Sequence, residues 1–581
     1  MSRTDVHSVR TDDEQSPATG TPGHGSQTGG DVTKSPSRFR TPLVSVGLGL
    51  LAFVISWWGS WIPSFWGDEA ASIMSAERPW ASLLREVRHV DAVHGTYYAL
   101  LHIWIELFGA TPFSTRFGSA LAVGVAAAGI VVLVNRLGGM RLAVTATLIF
   151  AVLPRTTYMG GEVRSYALGT ACAVWLTVLF VRLVTRRVTR ALPWVGFALA
   201  FAASTYIFLY LCLLALVYAA TLLWIGRGRI RPTLHRVFVR GADVSPETTM
   251  LARTVRRWLL ATFGGVVLAA PVVVLALSEH NQISFLAKHP GVSFPLFTVT
   301  QWFDSDIGLA VVAWLALAGV AAWGIVTLVR RRRTVFARLD SAAAANDRTL
   351  LPVMLLAWAV IPPVVLLVLN SFIPTYTVRY MSYVTPAIAI LLAIGLDGAA
   401  GWVARRWGNG STRIRIVAIA VGLACIAAIA TPTYIAQRGP YAKNGGSDWA
   451  EVAATVQAHS KPGDDIIFDE SARPSRNPHL ALHLYPDQFK NVVDVRLKTS
   501  YVDTDGLWDK VYTIPEVASR LSQGDGRVWL VEYRGPNHDG IISSRGMHER
   551  MAALHQLGYT VANTYVLHRD TVYLLTRGSS S

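Results

Sequence analysis

The sequence predicts an α-helical polytopic membrane protein of about eleven spans, with an α/β domain behind the last span. Three observations predict it. First, 52% of the 581 residues are hydrophobic and only 15% are charged, whereas an ordinary soluble domain carries about 25% charged residues. Second, apolar runs long enough to cross a bilayer alternate with short arginine clusters, as spanning helices and their connections do. Third, after about Thr433 this pattern gives way to short, alternating helix and strand signals.

Residues 1–41 are rich in Ser, Thr, Gly, Asp and Pro with almost no large apolar side chain. Such a stretch cannot bury a core, and a disordered cytoplasmic tail is expected. The apolar run Pro42–Pro63 starts late for a signal peptide and lacks a small-residue cleavage site, so it reads as a retained first span. Further spans are expected near 113–135, 140–154, 165–184, 191–205, 207–225, 257–277, 307–329, 350–370, 380–403 and 413–433. Val93–Phe108 is apolar but short, and it carries His94, His102 and Glu106. It is expected to lie along the interface.

The arginines support that choice. With 93–108 lying flat, the connections Arg136–Arg141, Arg182–Arg190, Arg227–Arg257, Arg330–Arg348 and Arg405–Arg415 all fall on one side, as the positive-inside rule asks. Counting 93–108 as a span would put two of these clusters outside. The N-terminus is then cytoplasmic. The connections 64–112, 155–164, 277–306 and 371–379 face outward, as does everything after Thr433. The preference for Arg over Lys, with much Ala and Val, suggests a GC-rich bacterial genome and hence a bacterial plasma membrane.

The chain thus divides into the tail, a transmembrane domain over 42–433 whose first outer loop is 64–112, and an extracytoplasmic α/β domain over 434–581. In that last part helices are expected at Asp448–His459, Pro515–Leu521 and Met547–Leu557. Strands are expected at Ile466–Phe468 and Val528–Glu532, with an edge hairpin closing on Arg569-Asp570. At about 148 residues it is long enough for a core of its own.

The net charge of +16 would raise the question of nucleic acid in a soluble protein. Here the basic residues flank apolar runs and no basic patch with interleaved aromatics is present, so nucleic acid is excluded. Cys172, Cys212 and Cys425 lie within apolar runs without metal-ligand spacing and read as packing residues.

Chemistry concentrates on Trp66-Gly67-Asp68-Glu69-Ala70, directly after the first span. Adjacent carboxylates at a membrane surface are costly unless used or paired. They suit general-base catalysis on a hydroxyl. The alternative is that Asp68 caps a helix beginning at Ala70 and Glu69 favours its first turn. The same loop carries Asp91, His94, Tyr97 and Tyr98. Asp91 and His94 would share a helix face, but two ligands are too few for a metal site. The next outer connection carries Glu162, Arg164 and Tyr166, and a later one carries Tyr376, Arg379, Tyr380 and Tyr383. Arginine there suits a bidentate grip on phosphate. A snorkelling helix-end anchor is the alternative for Arg379.

These residues resemble a known family. Trp66–Ala70, then Asp91-Ala92-Val93-His94-Gly95-Thr96-Tyr97-Tyr98, then Leu107–Ala110 running to Arg116-Phe117, are similar to the opening of the GT-C glycosyltransferases. The likeness is strongest to the branch of the protein O-mannosyltransferases and the lipid A aminoarabinose transferase. Arg164-Ser165-Tyr166 and Arg379-Tyr380 match later positions of that branch, and the chain most resembles predicted bacterial membrane mannosyltransferases. His94-Gly95 departs from the proline-rich stretch of many relatives.

The resemblance implies transfer of a sugar, mannose in the nearest members, from a polyprenyl-phosphate donor with inversion. The acceptor would be a cell-envelope glycan, lipoglycan or protein. It implies Asp68 as base, with Glu69 orienting it or sharing the role. Arg379 would hold the donor phosphate, with Arg164 and Tyr380 beside it. His94, Tyr97, Tyr98, Asp91 and Tyr166 would line the substrate pocket. It assigns no cofactor and no metal ligands, and leaves room for a divalent cation. A lipid or glycan transporter is the competing reading, but no internal repeat and no mid-span charge supports it. A catalytically silent envelope-assembly protein is the other, and an intact Asp68 and Arg379 argue against it.

Overall fold

The structure, a computed structural model, describes residues 40–227, 246–279, 292–332, 350–373, 376–443, 445–523, 526–534 and 545–578. The expected tail, but for its last two residues, lies outside them, as do the middles of the connections Arg227–Arg257, 277–306 and Arg330–Arg348. Residues 41–581 form one compact unit.

The helical part follows the apolar runs. Six helices are long and apolar enough to cross a membrane, and eight if each of two bent pairs counts as one span. The six are Pro112–Gly138, Tyr166–Thr185, Pro246–Ser278, Leu350–Asn370, Val378–Trp407 and Thr412–Ala436. The bent pairs are Met140–Val152 with Pro154–Gly160, turning by 63°, and Leu296–Phe303 with Ile307–Gly319, turning by 104°. Pro154 at the first bend cannot continue the preceding helix. Shorter apolar helices stand at Thr41–Trp57, Leu192–Ile207 and Leu209–Ile225, where the remaining spans were expected. The protein is a multi-pass membrane protein; a count of eleven crossings and their direction belong to the proposal below.

The connection after α1 (Arg40–Trp57) folds into helices of its own: α2 (Gly67–Glu77), α3 (Trp80–Val87) and α4 (Gly95–Phe108), before α5 (Pro112–Gly138) begins. Thr111 caps α5 by accepting from Ser114 N, with Pro112 in its first turn. The segment 155–164, expected as a connection, is largely helical, with α6 (Met140–Val152) and α7 (Pro154–Gly160) leading through a five-residue turn to α8 (Tyr166–Thr185). A core of small and apolar residues from α5, α6, α8 and the helices after them holds this part together.

The C-terminal part is an α/β layer, as the alternation predicts. Its strands are β1 (Asp464–Phe468), β2 (Val492–Asp494), β3 (Leu497–Thr499), β4 (Lys510–Val511), β5 (Arg527–Tyr533), β6 (Tyr559–Val566) and β7 (Asp570–Arg577). Five form one sheet in the order β2-β1-β5-β7-β6, parallel across β2-β1-β5 and antiparallel from β5 to β6. The helices Trp449–His459 and Arg545–Gln556 stand at their expected places. The hairpin β6-β7 also stands where expected, but only β6 is an edge strand. Between β1 and β5 the helix expected at Pro515–Leu521 is present as Pro515–Val517 and Ala518–Gln523, and the segment also holds the short helix Leu480–Leu484 and β2, β3 and β4, which the sequence reading did not expect.

Strand alternation divides the sheet's side chains between two cores. Ile467, Val528, Leu530, Tyr573 and Leu575 pack with Met547, Met551 and Leu554. Ile466, Phe468, Trp529, Val531, Val572 and Leu574 pack with Trp449 and Val452, and with Phe65, Ala70, Ile73, Met74, Leu83, Tyr97, Tyr98 and Leu101. One face of the sheet and the loop carrying the carboxylates therefore share a single core. Polar contacts lock the same junction. Buried Arg78 pairs with Glu86 at 3.1 Å and donates to Thr504 O and Gly506 O, while Ser82 donates to Val502 O. Gly67 opens α2 against the turn Pro474–Arg476, where a Cβ would come within 2.0 Å of Ser475 O.

Candidate active site

Three backbone features meet beside this junction: the N-terminus of α2, the turn 161–165, and the short 3-10 helix Val378–Val384 that opens the helix Thr385–Trp407. They bring together residues more than 300 positions apart.

Asp68 is the second residue of α2. Its side chain makes no cap; the residue before the helix is Trp66, which makes none either. The capping alternative is therefore not the observed role. Instead Asp68 Oδ2 accepts from Arg379 Nη1 at 2.6 Å. This pair is a quarter exposed, 26% for the carboxylate and 24% for the guanidinium, so it faces open space. Arg379 Nη1 also lies 3.5 Å from Glu162 Oε1, and its guanidinium sits 4.8 Å from the Trp66 ring centroid. Its Nε and Nη2 make no hydrogen bond among the described residues.

Glu69 is turned the other way. Its carboxylate is fully buried and clamped by Arg116, whose Nε and Nη2 donate at 2.8 and 2.5 Å. Val163 N donates to it at 3.0 Å, and Arg116 Nη1 ties back to Ser60 O and Pro63 O. Where the sequence reading lets Glu69 share the base role, the structure gives it a buried ion pair that fixes α2, α5 and the turn 161–165 to one another. Successive residues of an α-helix point about 100° apart, and here one points inward and one toward the opening.

Arg164 Nη1 donates to Asp68 O at 3.3 Å and to Ser72 Oγ at 3.2 Å, and Nη2 approaches His94 Nε2 at 3.0 Å. An arginine can only donate, so His94 Nε2 accepts and its proton sits on Nδ1. Burial, with Arg164 beside it, holds the His94 imidazole well below its ordinary range. The site therefore keeps His94 neutral. Gly95 follows because the start of α4 presses on α3: a Cβ there would lie 2.6 Å from Val87 Cγ1.

Asp91 and His94 do not act as a pair. Asp91 has φ 57°, and its Oδ2 accepts from Tyr98 OH at 2.9 Å. Burial raises the Asp91 carboxyl above its usual range, against the pull of Arg164. Tyr97 is buried in the shared core. Tyr166 packs its ring against Phe208 and Tyr380 at 5.9 and 6.3 Å, and Tyr380 packs against Tyr210 at 5.0 Å. These aromatics form one wall beside Arg379.

The sequence reading left two groups without a role. Glu162 is fully buried; burial raises its carboxyl above the usual range, opposed by Arg379 and Lys443. Its Oε2 has no hydrogen-bond partner among the described residues. Lys443 is buried with Nζ 4.3 Å from the Tyr158 ring centroid, and burial lowers its ammonium below the ordinary value. Both line the site's inner side, and a cavity of about 230 Å³ bounded by Tyr158, Asp304, Gln437 and Lys443 adjoins it. Glu162 stands two residues before Arg164 and was noted. Nothing local distinguishes Lys443, which only packing brings here. A larger cavity of about 710 Å³ lies far from these carboxylates, between Leu192–Ile207 and Pro246–Ser278.

The comparisons with known proteins bear on these residues. Residues 96–239 match the sequence profile of the family Dolichyl-phosphate-mannose-protein mannosyltransferase. The resemblance to GT-C glycosyltransferases read from the motifs is borne out by that match. No curated protein matches the chain. Among solved structures the chain is similar to ArnT from Cupriavidus metallidurans bound to undecaprenyl phosphate, at 12% identity and a TM-score of 0.45, over 92% of this chain and 97% of that one. It is also similar to the Archaeoglobus fulgidus oligosaccharyltransferase tethered with an acceptor peptide, at 12% identity and a TM-score of 0.46, over 86% of this chain and 69% of that one.

Proposed function

We propose that the chain is an inverting membrane glycosyltransferase that moves a sugar, mannose on the family match, from a polyprenyl-phosphate donor to a hydroxyl of a cell-envelope glycan, lipoglycan or protein. The observation that carries the reading is the Asp68–Arg379 pair: a carboxylate and a guanidinium 2.6 Å apart, open to solvent, on a scaffold of buried ion pairs.

The reaction asks for two things. A base must take the acceptor's proton as its oxygen attacks the anomeric carbon, and a cation must stabilise the phosphate that departs with the bonding electrons. Asp68 suits the first task. Arg379 suits the second, because its guanidinium can take two phosphate oxygens. At rest the pair satisfies itself. Donor phosphate would compete for Arg379 and release Asp68 for the acceptor. Arg164 supports Asp68 through its backbone carbonyl, and neutral His94 orients Arg164. Glu69 is a positioning residue, and the Tyr166–Tyr380 wall would face the lipid-linked sugar.

The site would lie on the outer face of a bacterial plasma membrane, with the N-terminus cytoplasmic and eleven crossings between. Two experiments test this. Membranes carrying Asp68→Asn should lose transfer from a polyprenyl-phosphate mannose donor at normal expression; unchanged activity removes Asp68 as base. A reporter placed after Thr433 should signal from outside, and a cytoplasmic signal would invert the orientation.

A further inference from the structure

The C-terminal α/β region holds a cluster that the reaction does not use. His479 directly precedes the helix Leu480–Leu484 and His483 lies in its last turn, four residues on, so both rings share one face. Asp494 ends β2 and Asp509 directly precedes β4. The ligand atoms of His479, His483 and Asp509 lie within 4.8 Å of one another. His483 Nε2 is 2.5 Å from Asp509 Oδ2; His479 Nε2 is 2.9 Å from Asp494 Oδ2 and 3.7 Å from Asp509 Oδ2. Three donors thus gather about one point, two imidazole nitrogens and one carboxylate oxygen, and Asp494 pairs with His479 beside them.

We infer that His479, His483 and Asp509 bind one zinc ion, which fixes the segment that clamps the loop 64–112. Zinc bonds of about 2.0–2.2 Å in a tetrahedron set neighbouring ligand atoms about 3.4 Å apart. The observed separations bracket that value. Asp509 and the neighbouring Asp494 carboxylate would together offset the ion's charge, as a buried site needs.

The alternative is a metal-free ion-pair cluster of the same residues, with His479 Nε2 2.9 Å from Asp494 Oδ2, and the zinc content of the purified chain separates the two.

The surroundings are built to hold the four groups in place. Each carboxylate has its other oxygen held by a backbone N–H: Asp494 Oδ1 by Arg496 N at 3.1 Å and Asp509 Oδ1 by Tyr501 N at 2.6 Å. His479 stacks on Phe468 at 4.8 Å, and its Nδ1 lies 3.9 Å from Glu470 Oε1. His483 packs edge-on against Tyr501 at 5.0 Å. Orienting contacts behind the ligands are what metal sites use to fix ring and carboxylate direction. The ligand side chains are only 3–16% exposed, so the ion would be enclosed and its role structural. Between Tyr501 and Asp509 run the carbonyls of Val502, Thr504 and Gly506 that Ser82 and Arg78 grip. An ion at Asp509 would therefore stiffen the clamp on the loop. This inference stands independently of the sugar-transfer reading.

The test uses the full chain in detergent, purified through a tag without histidine. Elemental analysis should find close to one zinc per chain, and His555→Gln, an exposed histidine elsewhere, should keep it. His479→Gln/His483→Gln and Asp509→Asn should lose it. Stripping the native chain with a chelator should lower its unfolding temperature by about 5 °C, restored by zinc chloride. Cobalt chloride added to the stripped native chain should give the visible absorption of tetrahedral cobalt, a result that needs no variant to fold. Native protein with far less than one zinc and no tetrahedral cobalt band would overturn the inference, as would full zinc retention in the double histidine variant.

Discussion

Asp68 and Glu69 are neighbours of the same charge, and the structure predicts opposite consequences for removing each. Take Asp68→Asn and Glu69→Gln, which keep shape and remove charge. The Asp68 pair is a quarter exposed, so its loss should cost only roughly 0–1 kcal/mol of stability. Its catalytic cost should be large, because losing a positioned general base lowers kcat by about 10²–10⁴-fold. Glu69 and Arg116 are both fully buried. Removing one partner of such a pair costs about 3–5 kcal/mol, since the guanidinium stays buried without its counter-charge. That is a fall in unfolding temperature of roughly 10 °C. The assay pairs thermal unfolding in detergent with initial rates of transfer from a polyprenyl-phosphate mannose donor, measured well below either transition. The reasoning predicts a dead but stable Asp68→Asn and an unstable Glu69→Gln with residual rate in its folded fraction. A stable, inactive Glu69→Gln beside an active Asp68→Asn would refute it and exchange the two roles.

Other outcomes follow from the same geometry. Arg379→Lys keeps the charge but loses the planar fork, so the KM for donor should rise about tenfold or more while the KM for acceptor moves little; equal changes in both would count against a phosphate grip. Gly67→Ala places a methyl within 2.0 Å of Ser475 O, which cannot yield without shifting α2 or the turn; both activity and unfolding temperature should fall, and a neutral result would show that this junction is loose. His94 is held below its ordinary value of 6.5, so the folded chain resists a proton that the unfolded chain accepts. The stability this contributes is present above about pH 6.5 and is lost as pH falls below it. His94→Gln should flatten the unfolding temperature between pH 7.5 and 5.5, and an unchanged slope would mean another group carries it.

The spans were legible in the sequence because the bilayer tests each segment by itself. A run such as Thr412–Ala436 is committed by its own hydropathy, whatever its neighbours do. The sheet strands β1 and β5 were legible for a similar reason, as short apolar runs between turn signals. The stretch between β1 and the expected helix at Pro515–Leu521 was not. Its helix and short strands have little local preference, and the loop after them is held by bonds to residues some 420 positions away, such as Arg78 to Thr504 O. The histidines and aspartate of the proposed zinc site fall in that same stretch, spaced over 31 residues, and only the fold gathers them.

The carboxylate pair shows the same division. Composition and motif marked Asp68-Glu69 as the place for chemistry and Arg379 as a grip on the donor phosphate. They could not separate the two carboxylates, because in sequence the pair is symmetric. The helical turn of about 100° between them breaks that symmetry. It hands Glu69 to Arg116 in the dry interior and leaves Asp68 facing Arg379 at the opening. Sequence determined that acid would be needed here. Which acid is buried and which is open depends on how α2 is rotated against α5, and packing against the C-terminal sheet sets that rotation.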